Sequence, residues 1–456
     1  MQSILKRLAG NTLLFAIGNS VSLILSFIMV PFYTKVLSTS DFGISDIIIT
    51  TVSMLLPLLS LNIFAAIFRF ALDKDENHTQ VFSNGLLVSI IGSIISLFTT
   101  GLISLLGVKY AFYVGVYLSI TLFLNLFQNF TRGMDLVKIY ALSGVVSSVI
   151  NVVSNLVLMA IFHFGLNGYI YSLIISAIIT SFYLYFAGNL QKYISKAEIS
   201  WTKTKELLVY SIPMIPNSFA WWLTNDANKI IILGFLGPSA NGLLAVANKL
   251  PSMVTTLFSM FTNAWQMTAV DEQGKENTSK IYSITFNLIF GALILGCAII
   301  LLIIKPFMHV YVNPNFFSAW KVVPFLLLSS IFSSVSAFFG TTYLVVKKTK
   351  GLFTTTLWGM IANVSFCVIF VHFIGLNGAG IAGSLGFLVV SILRFKQTQK
   401  YVPLKLSKLF LSSLLLCYLL LTFSLLMNVT IFLNVIIVLI MLAIFGFEIL
   451  KLKKNN

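Results

Sequence analysis

The amino-acid sequence predicts an all-α protein that crosses a membrane many times. Hydrophobic residues make up 58% of the chain and charged residues only 9%, whereas a soluble domain carries roughly a quarter charged residues. The apolar residues are gathered into runs of about twenty, the length that crosses the hydrocarbon core of a bilayer as a helix. Lysines and arginines lie mostly in the short gaps between those runs.

One transmembrane helix is predicted for each apolar run, about fourteen in all. In chain order the runs cover residues 12–34, 43–68, 81–106, 112–131, 139–162, 168–187, 207–236, 242–267, 281–304, 321–345, 352–373, 379–395, 409–427 and 430–450. Pro57 interrupts the second run, Pro213 and Pro216 the seventh, and Pro251 the eighth. Because a proline inside a helix removes a backbone donor, we expect these helices to bend or break.

The positive charges orient the helices, since cytoplasmic loops of membrane proteins are enriched in lysine and arginine. With the N-terminus in the cytoplasm, most of these residues fall in cytoplasmic gaps, and the exceptions on the outer side are Lys35, Lys109, Lys305 and Lys321. Membrane topology therefore explains the net charge of +16. We predict cytoplasmic N- and C-termini and no nucleic-acid partner.

The chain repeats a short motif. His163 to Gly168 reads His-Phe-Gly-Leu-Asn-Gly before the sixth run, and His372 to Gly378 reads His-Phe-Ile-Gly-Leu-Asn-Gly before the twelfth. The repeat unit is six helices, which predicts one bundle over 1–190, a second over 207–397, and two further helices over 409–450. Six crossings return the chain to its starting side, so the two bundles have the same orientation, a common plan of transporters.

The eighth run carries one polar helical face. Its members recur at steps of three, four or seven residues, and they are Asn241, Asn248, Ser252, Thr255, Ser259, Asn263 and Gln266. Such a face avoids acyl chains and turns toward packed helices or a wet cavity. Because it runs nearly the full depth of the membrane, we favour the cavity, with hydrogen bonds between packed helices as the alternative.

Three ionisable residues are predicted inside the membrane, where charge is costly. Asp226 and Lys249 each lie eleven residues from the outer turn at Gly237-Pro238, which puts both about 16–17 Å below it. Asp226 could pair with Lys249 or with Lys229, and one acid beside two bases leaves surplus positive charge. Lys229 and Lys249 are therefore candidate ligands for a phosphate or pyrophosphate group. The alternative is a structural ion pair with Lys229 extended to the outer interface.

The sequence contains no P-loop, no metal-type cluster of His and Cys, and no nucleophile–base pair. We therefore predict a transporter rather than an enzyme, without a cofactor. A gradient, the membrane potential or the supply of substrate would drive it.

Several segments resemble the polysaccharide repeat-unit flippases, which translocate lipid-linked oligosaccharides of the O-antigen and capsular type. The resemblance rests on Tyr210 to Pro216, Asn225-Asp226 with Ile230 to Gly234, Gly242, Ala247 to Pro251, Gly375 to Ala379, Phe42-Gly43 and Arg69-Phe70. It implies the fold of the multidrug/oligosaccharidyl-lipid/polysaccharide (MOP) superfamily, in which two six-helix bundles form a V-shaped central cavity.

The resemblance also implies a function in the bacterial cell membrane. The expected cargo is an undecaprenyl-pyrophosphate-linked oligosaccharide, flipped to the outer leaflet by alternating access for surface polysaccharide biosynthesis. The expected substrate-binding residues are Lys229, Lys249, Asn248, Ser252, Asn263 and Asn225, and Asp226 is the candidate for ion coupling. Membrane lipids, a coupling proton or sodium ion and a polysaccharide polymerase are the other expected partners.

Other functions remain open from the sequence. A multidrug antiporter of the same fold would prefer more acidic residues in its cavity. A lipid II flippase of that fold would carry several cationic residues in its first two helices and its eighth helix, and the first run here has none before Lys35. A polymerase would need a long outer loop, but the longest gap, 188–206, is predicted to be cytoplasmic. A membrane scaffold that transports nothing is the remaining alternative.

Overall fold

The structure is a computed structural model that describes residues 21–271, 276, 278–346 and 350–454. These residues form α-helices and contain no strand. The helices are α1 (Val21–Val36), α2 (Thr39–Leu59), α3 (Ile63–Ala71), α4 (His78–Leu105), α5 (Ala111–Gly133), α6 (Val137–Asn155), α7 (Gly165–Ala187), α8 (Trp201–Ser211), α9 (Ile215–Leu236), α10 (Pro238–Ala247), α11 (Lys249–Asp271), α12 (Thr278–Tyr311), α13 (Val323–Val345), α14 (Lys350–Ile374), α15 (Leu376–Thr398), α16 (Lys408–Leu426) and α17 (Ile431–Lys454).

The predicted all-helical membrane fold is confirmed. Within the described residues, eleven helices are long and apolar enough to cross a membrane, and the bent pair α10–α11 makes a twelfth if it is counted as one span. The first predicted run corresponds to the shorter α1, with residues 12–20 outside the described part, and the seventh run corresponds to α8 and α9. The total of fourteen spans stays a prediction.

The chain divides into two compact units, Met1–Asp226 and Ala227–Asn456, with the boundary inside α9. The core of the first unit is built mainly from α3, α4 and α5, with Ile67, Phe82 and Phe130 almost fully buried. The core of the second unit is a cluster of aromatic rings contributed by α11, α12 and α13. The predicted bundles 1–190 and 207–397, and the V-shaped cavity, stay predictions.

The second predicted run forms two helices rather than one. Pro57 has no N–H for the carbonyl of Ser53, four residues earlier. Leu61 and Asn62 then adopt left-handed backbone conformations, with φ of 50° and 53°, which an α-helix cannot contain. The break at residues 60–62 separates α2 from α3, so the run predicted over 43–68 is broken, as expected from Pro57, into two helices.

The repeated Gly-Leu-Asn-Gly motif has the same geometry in both units. Its first glycine, Gly165 or Gly375, has a positive φ of 52° or 62° and turns the chain between two helices. Its second glycine, Gly168 or Gly378, lies against the main chain of the preceding helix, where a Cβ would meet the carbonyl of Leu158 or Phe370. A Cβ would overlap the main chain at Gly378 and would be tightly packed at Gly168, and the positive φ of the first glycine in each copy also favours glycine.

Candidate functional site

Helices α10 and α11 meet at a bend of 43°. Pro251 lies in the first turn of α11 and has no N–H to donate to the carbonyl of Ala247, four residues earlier. Asn248 stands at the bend and donates its backbone N–H to the carbonyl of Leu244 over 2.9 Å. The bend therefore lies next to the carbonyl of Ala247, which lacks its usual helical N–H donor because residue 251 is a proline.

Beyond the bend, α11 presents a row of hydroxyl groups. Thr255, Ser259 and Thr262 each donate to a main-chain carbonyl three or four residues earlier on the same helix, over 2.7–3.0 Å. Their hydroxyl hydrogens are therefore used within α11. The oxygen lone pairs of these hydroxyls remain available as acceptors.

These hydroxyls border a cavity of about 230 Å³ in the second unit. Its lining residues come from α11 and α13 and are Thr255, Phe258, Ser259, Thr262, Asn263, Ser333, Ser334 and Ala337. Six of these eight residues are polar, and none is charged. The cavity is therefore electrically neutral in the part of the chain that the structure describes, with uncharged polar groups set in a lining whose exposed surface is mainly apolar.

Three lining side chains supply hydrogen-bond donors. The amide of Asn263 and the hydroxyls of Ser333 and Ser334 form no side-chain hydrogen bond with the residues that the structure describes. Asn263 is exposed within the cavity, and its amide offers two donor hydrogens and an acceptor oxygen. Donors and acceptors therefore border the same small space.

Phe258 forms the apolar wall of the cavity. It packs against Phe261 and Phe290, with ring centroids 5.4 Å and 5.6 Å away. Only 7% of its surface is exposed, so the aromatic core of the unit holds the ring in place. The cavity thus combines one fixed aromatic wall with polar groups.

The structure brings only one of the predicted substrate-binding residues, Asn263, into this lining. Asn248, Lys249 and Ser252 lie at the bend and in the first turn of α11, before the cavity. Ser252 is exposed and donates its hydroxyl to the carbonyl of Lys249 over 2.8 Å. Whether these three residues bind substrate stays a prediction.

The other predicted residues lie on α9. Asp226 and Lys229 are half-buried, and the side chain of Asn225 lies outside the described part of the structure. The pairing of Asp226 with Lys229 or Lys249, and its role in ion coupling, stay predictions.

Asn241 belongs to the predicted polar face but packs against another helix. It is fully buried, and its Nδ2 donates to the main-chain carbonyl of Lys229 over 2.9 Å. This contact ties α10 to α9. The polar face therefore serves packing before the bend and lines a cavity after it.

Sequence reasoning missed Ser333 and Ser334, which supply the α13 side of the cavity. A signal was available, because Ser330, Ser333 and Ser334 follow one another at helical spacing in the tenth run. What the spacing could not give was the neighbour of that face, since this depends on how α11 and α13 pack.

A family model described as "Polysaccharide biosynthesis protein" matches residues 8–266, which is more than half of the chain. No curated protein matches the chain.

Solved structures of MOP transporters are similar to the chain. The lipid II flippase MurJ in an inward closed conformation has a TM-score of 0.69 and 12% identity, over 97% of this chain and 100% of that chain. An inward-facing multidrug resistance MATE family transporter has a TM-score of 0.66 and 16% identity, over 85% and 94%. A MOP superfamily transporter from Pyrococcus furiosus Vc1 (DSM3638) has a TM-score of 0.56 and 16% identity, over 88% and 95%.

At identities of 12–16%, similarity to these solved structures shows only that the fold is shared. Membership of a family is shown by the family model that matches residues 8–266. The apolar helices, the fold shared with MATE and MurJ and the match over residues 8–266 lead to one conclusion: the chain is a multi-pass membrane protein that belongs to the polysaccharide biosynthesis protein family.

Proposed function

We propose that the chain flips undecaprenyl-pyrophosphate-linked oligosaccharide repeat units from the cytoplasmic to the outer leaflet of a bacterial cell membrane by alternating access. The family match supports a role in polysaccharide biosynthesis. The fold shared with a lipid II flippase supports a cargo that is attached to a lipid. In this proposal both termini are cytoplasmic, and a polysaccharide polymerase uses the units delivered to the outer leaflet.

The observation that carries the proposal is the neutral, hydrogen-bonding cavity between α11 and α13. Moving one hydroxyl from water into an apolar medium without a partner costs roughly 2–7 kcal/mol. An oligosaccharide bears many hydroxyls, so it cannot cross the hydrocarbon layer unaided. Side-chain hydroxyls and amides at membrane depth replace the water that the sugar gives up.

The proposal assigns parts to the predicted residues. Lys229 and Lys249 hold the pyrophosphate, because an ammonium group binds phosphate oxygens through charge-assisted hydrogen bonds. Asn225, Asn248, Ser252 and Asn263 contact the sugars. Asp226 couples translocation to a proton or a sodium ion.

A multidrug antiporter is the main alternative, since MATE transporters share the fold. Organic cations would need acidic groups or extended aromatic surfaces in the cavity. The lining between α11 and α13 has no acid among the described residues and one aromatic ring. The cavity therefore favours an uncharged polyhydroxyl cargo.

The test is deletion of the gene followed by complementation. We expect the deletion strain to lose surface polysaccharide and to accumulate lipid-linked repeat units on the cytoplasmic side, where added enzymes reach them only in inverted vesicles. The intact gene restores both. Normal polysaccharide together with new drug sensitivity would show an antiporter, and accumulation of lipid II would show a lipid II flippase.

A further inference from the structure

We infer that the cavity between α11 and α13 binds one uncharged sugar ring of the cargo and that the pyrophosphate is bound outside it. The inference rests on the proposed function and specifies which chemical part of the cargo this unit holds. Its basis is the lining itself rather than the residues predicted from the sequence.

The electrostatics of the lining exclude the pyrophosphate. No described residue of the lining carries a positive charge. A phosphate dianion moved into such a space would lose its water without gaining a counter-charge, and burying an unpaired charge costs several kcal/mol. The same reasoning excludes an acidic sugar, whose carboxylate would also need a cation.

The hydrogen-bonding groups match a neutral sugar. Each sugar hydroxyl donates one hydrogen bond and accepts others. Thr255, Ser259 and Thr262 use their hydrogens within α11 and so offer acceptors. Asn263, Ser333 and Ser334 offer donors on the other parts of the lining. A ring with hydroxyls around its edge is satisfied by both kinds of group together.

The apolar wall matches the face of the same ring. A pyranose presents C–H groups on its faces and hydroxyls at its edge. Phe258, with 7% of its surface exposed, and Ala337 contribute apolar surface to the lining, and Phe261 and Phe290 hold the Phe258 ring in place. The C–H groups of the sugar therefore meet the apolar part of the lining while its hydroxyls meet the polar side chains.

The volume limits how much of the cargo enters. About 230 Å³ is below the range of about 300–1,000 Å³ found for pockets that hold drug-sized ligands. A whole repeat unit of several sugars does not fit such a space. One ring is therefore held here while the rest of the cargo lies elsewhere.

The experiment uses a matched pair of neighbouring threonines. Thr255 lines the cavity, whereas Thr256 does not, and both donate to the carbonyl of Ser252, over 3.0 Å and 2.8 Å. Thr255→Val and Thr256→Val remove the same hydroxyl and the same helix contact and keep the side-chain shape. Translocation of the native lipid-linked unit is measured in proteoliposomes that contain equal amounts of folded protein.

We expect Thr255→Val and Asn263→Leu to raise the KM for the lipid-linked unit roughly 5- to 10-fold each, the effect of losing one hydrogen bond. Thr256→Val stays at the wild-type KM. Inhibition by undecaprenyl pyrophosphate without sugar is unchanged in all three variants, because that ligand never uses the cavity.

Asn263→Lys provides the opposite test, because it places a cation in the lining. If the cavity holds a neutral sugar, this variant translocates the unit more slowly and binds undecaprenyl pyrophosphate no better. Two results would overturn the inference: tighter binding of undecaprenyl pyrophosphate by Asn263→Lys, or equal KM values for Thr255→Val and Thr256→Val. The proposed function would still hold in either case if the wild-type protein translocates the lipid-linked unit. A wild-type protein that moves no lipid-linked unit would remove both.

Discussion

Asn84 and Asn287 hold two different connectors with the same pair of hydrogen bonds. In the first unit, Asn84 Nδ2 donates to the carbonyl of Glu198 over 3.1 Å, and its Oδ1 accepts the N–H of Ser200 over 3.0 Å. In the second unit, Asn287 Nδ2 donates to the carbonyl of Lys405 over 3.2 Å, and its Oδ1 accepts the N–H of Ser407 over 3.0 Å.

Each asparagine thus pairs with the carbonyl of one residue and the N–H of the second residue after it. A serine on the same helix extends the contact in both units, since Ser83 accepts the N–H of Ser195 and Ser283 accepts the N–H of Lys405. The clamped connectors follow the sixth and the twelfth predicted runs. The two clamps therefore lie at corresponding places of the predicted six-helix repeat, which itself stays a prediction.

The first prediction concerns these clamps. We expect Asn84→Ala and Asn287→Ala each to destabilise the protein by about 1–3 kcal/mol, because at least two hydrogen bonds to the main chain of a connector are lost. Asn84→Ala has the larger effect, since Asn84 Oδ1 also accepts the hydroxyl of Thr204 over 2.8 Å. Thermal unfolding in detergent measures both.

Asn129→Ala is the matched control for the clamps, because Asn129 donates only to a carbonyl of its own helix, that of Asn125. A melting temperature of Asn84→Ala equal to that of Asn129→Ala would contradict the clamp.

The repeat could be predicted from the sequence, but the clamps could not. The Gly-Leu-Asn-Gly motif is visible because the turn at Gly165 and Gly375 and the close approach at Gly168 and Gly378 both favour a residue without a Cβ. The connectors are recognised through their main-chain N–H and C=O groups, which every residue shares. The two connectors share only a charged–aliphatic–serine triplet, Glu198 to Ser200 and Lys405 to Ser407, which is too short to be recognised, and a single asparagine in a helix gives no signal of its own.

The second prediction concerns alkaline pH. Lys203 Nζ lies 2.6 Å from Glu76 and 3.0 Å from Glu206, and 8% of its side chain is exposed. Burial by itself lowers the pKa of Lys203, but the hydrogen bonds to Glu76 and Glu206 outweigh burial, and the net pKa is raised above its ordinary 10.5. A raised pKa in the folded state gives stability that is present below the unfolded pKa and disappears as the pH rises through the folded pKa.

The measurement compares the melting temperatures of the wild type and Lys203→Met between pH 7 and pH 11.5. We expect the wild type to be more stable by a constant margin up to about pH 10, with the margin shrinking above that. Lys205→Met is the control on the same helix, since Lys205 is exposed. A margin that grows with pH would contradict the assignment of the ion pair.

The third prediction concerns Arg394, near the end of α15. The structure buries it to 8% exposure in α15. Its guanidinium donates to the carbonyl of Ser336 over 2.7 Å and to the hydroxyls of Thr355 and Thr356 over 3.0 Å each. It therefore joins α15 to α13 and α14.

We expect Arg394→Lys to be worse than Arg394→Met. Lysine keeps the desolvated charge, but its single ammonium cannot reproduce the fork that reaches acceptors on two helices. Methionine loses the same bonds but also removes the cost of burying the charge. The expected losses of stability are about 3 kcal/mol for lysine and about 1 kcal/mol for methionine. Unfolding measurements that rank lysine as the milder change would show that charge, not geometry, matters at this position.

The last prediction separates the two parts of the polar face that the sequence could not tell apart. Its helical period predicts which residues share a side, but a shared side says nothing of whether a packed helix or water lies opposite. The structure assigns Asn241 to packing and Asn263 to the cavity. The bend at Asn248 lies between these two residues, so the polar face has a packing role before the bend and lines a cavity after it.

Asn241→Leu and Asn263→Leu make the same chemical change on either side of that bend. Asn241→Leu removes the hydrogen bond to the carbonyl of Lys229 and places a larger apolar group in a fully buried position. We therefore expect a loss of about 2 kcal/mol in stability. The molecules that fold should have a KM within twofold of the wild-type value. Asn263→Leu raises the KM and leaves the melting temperature unchanged, because Asn263 bonds to no described residue. If both variants changed the melting temperature and neither changed the KM, the whole face would serve packing, and α11 would bind no cargo.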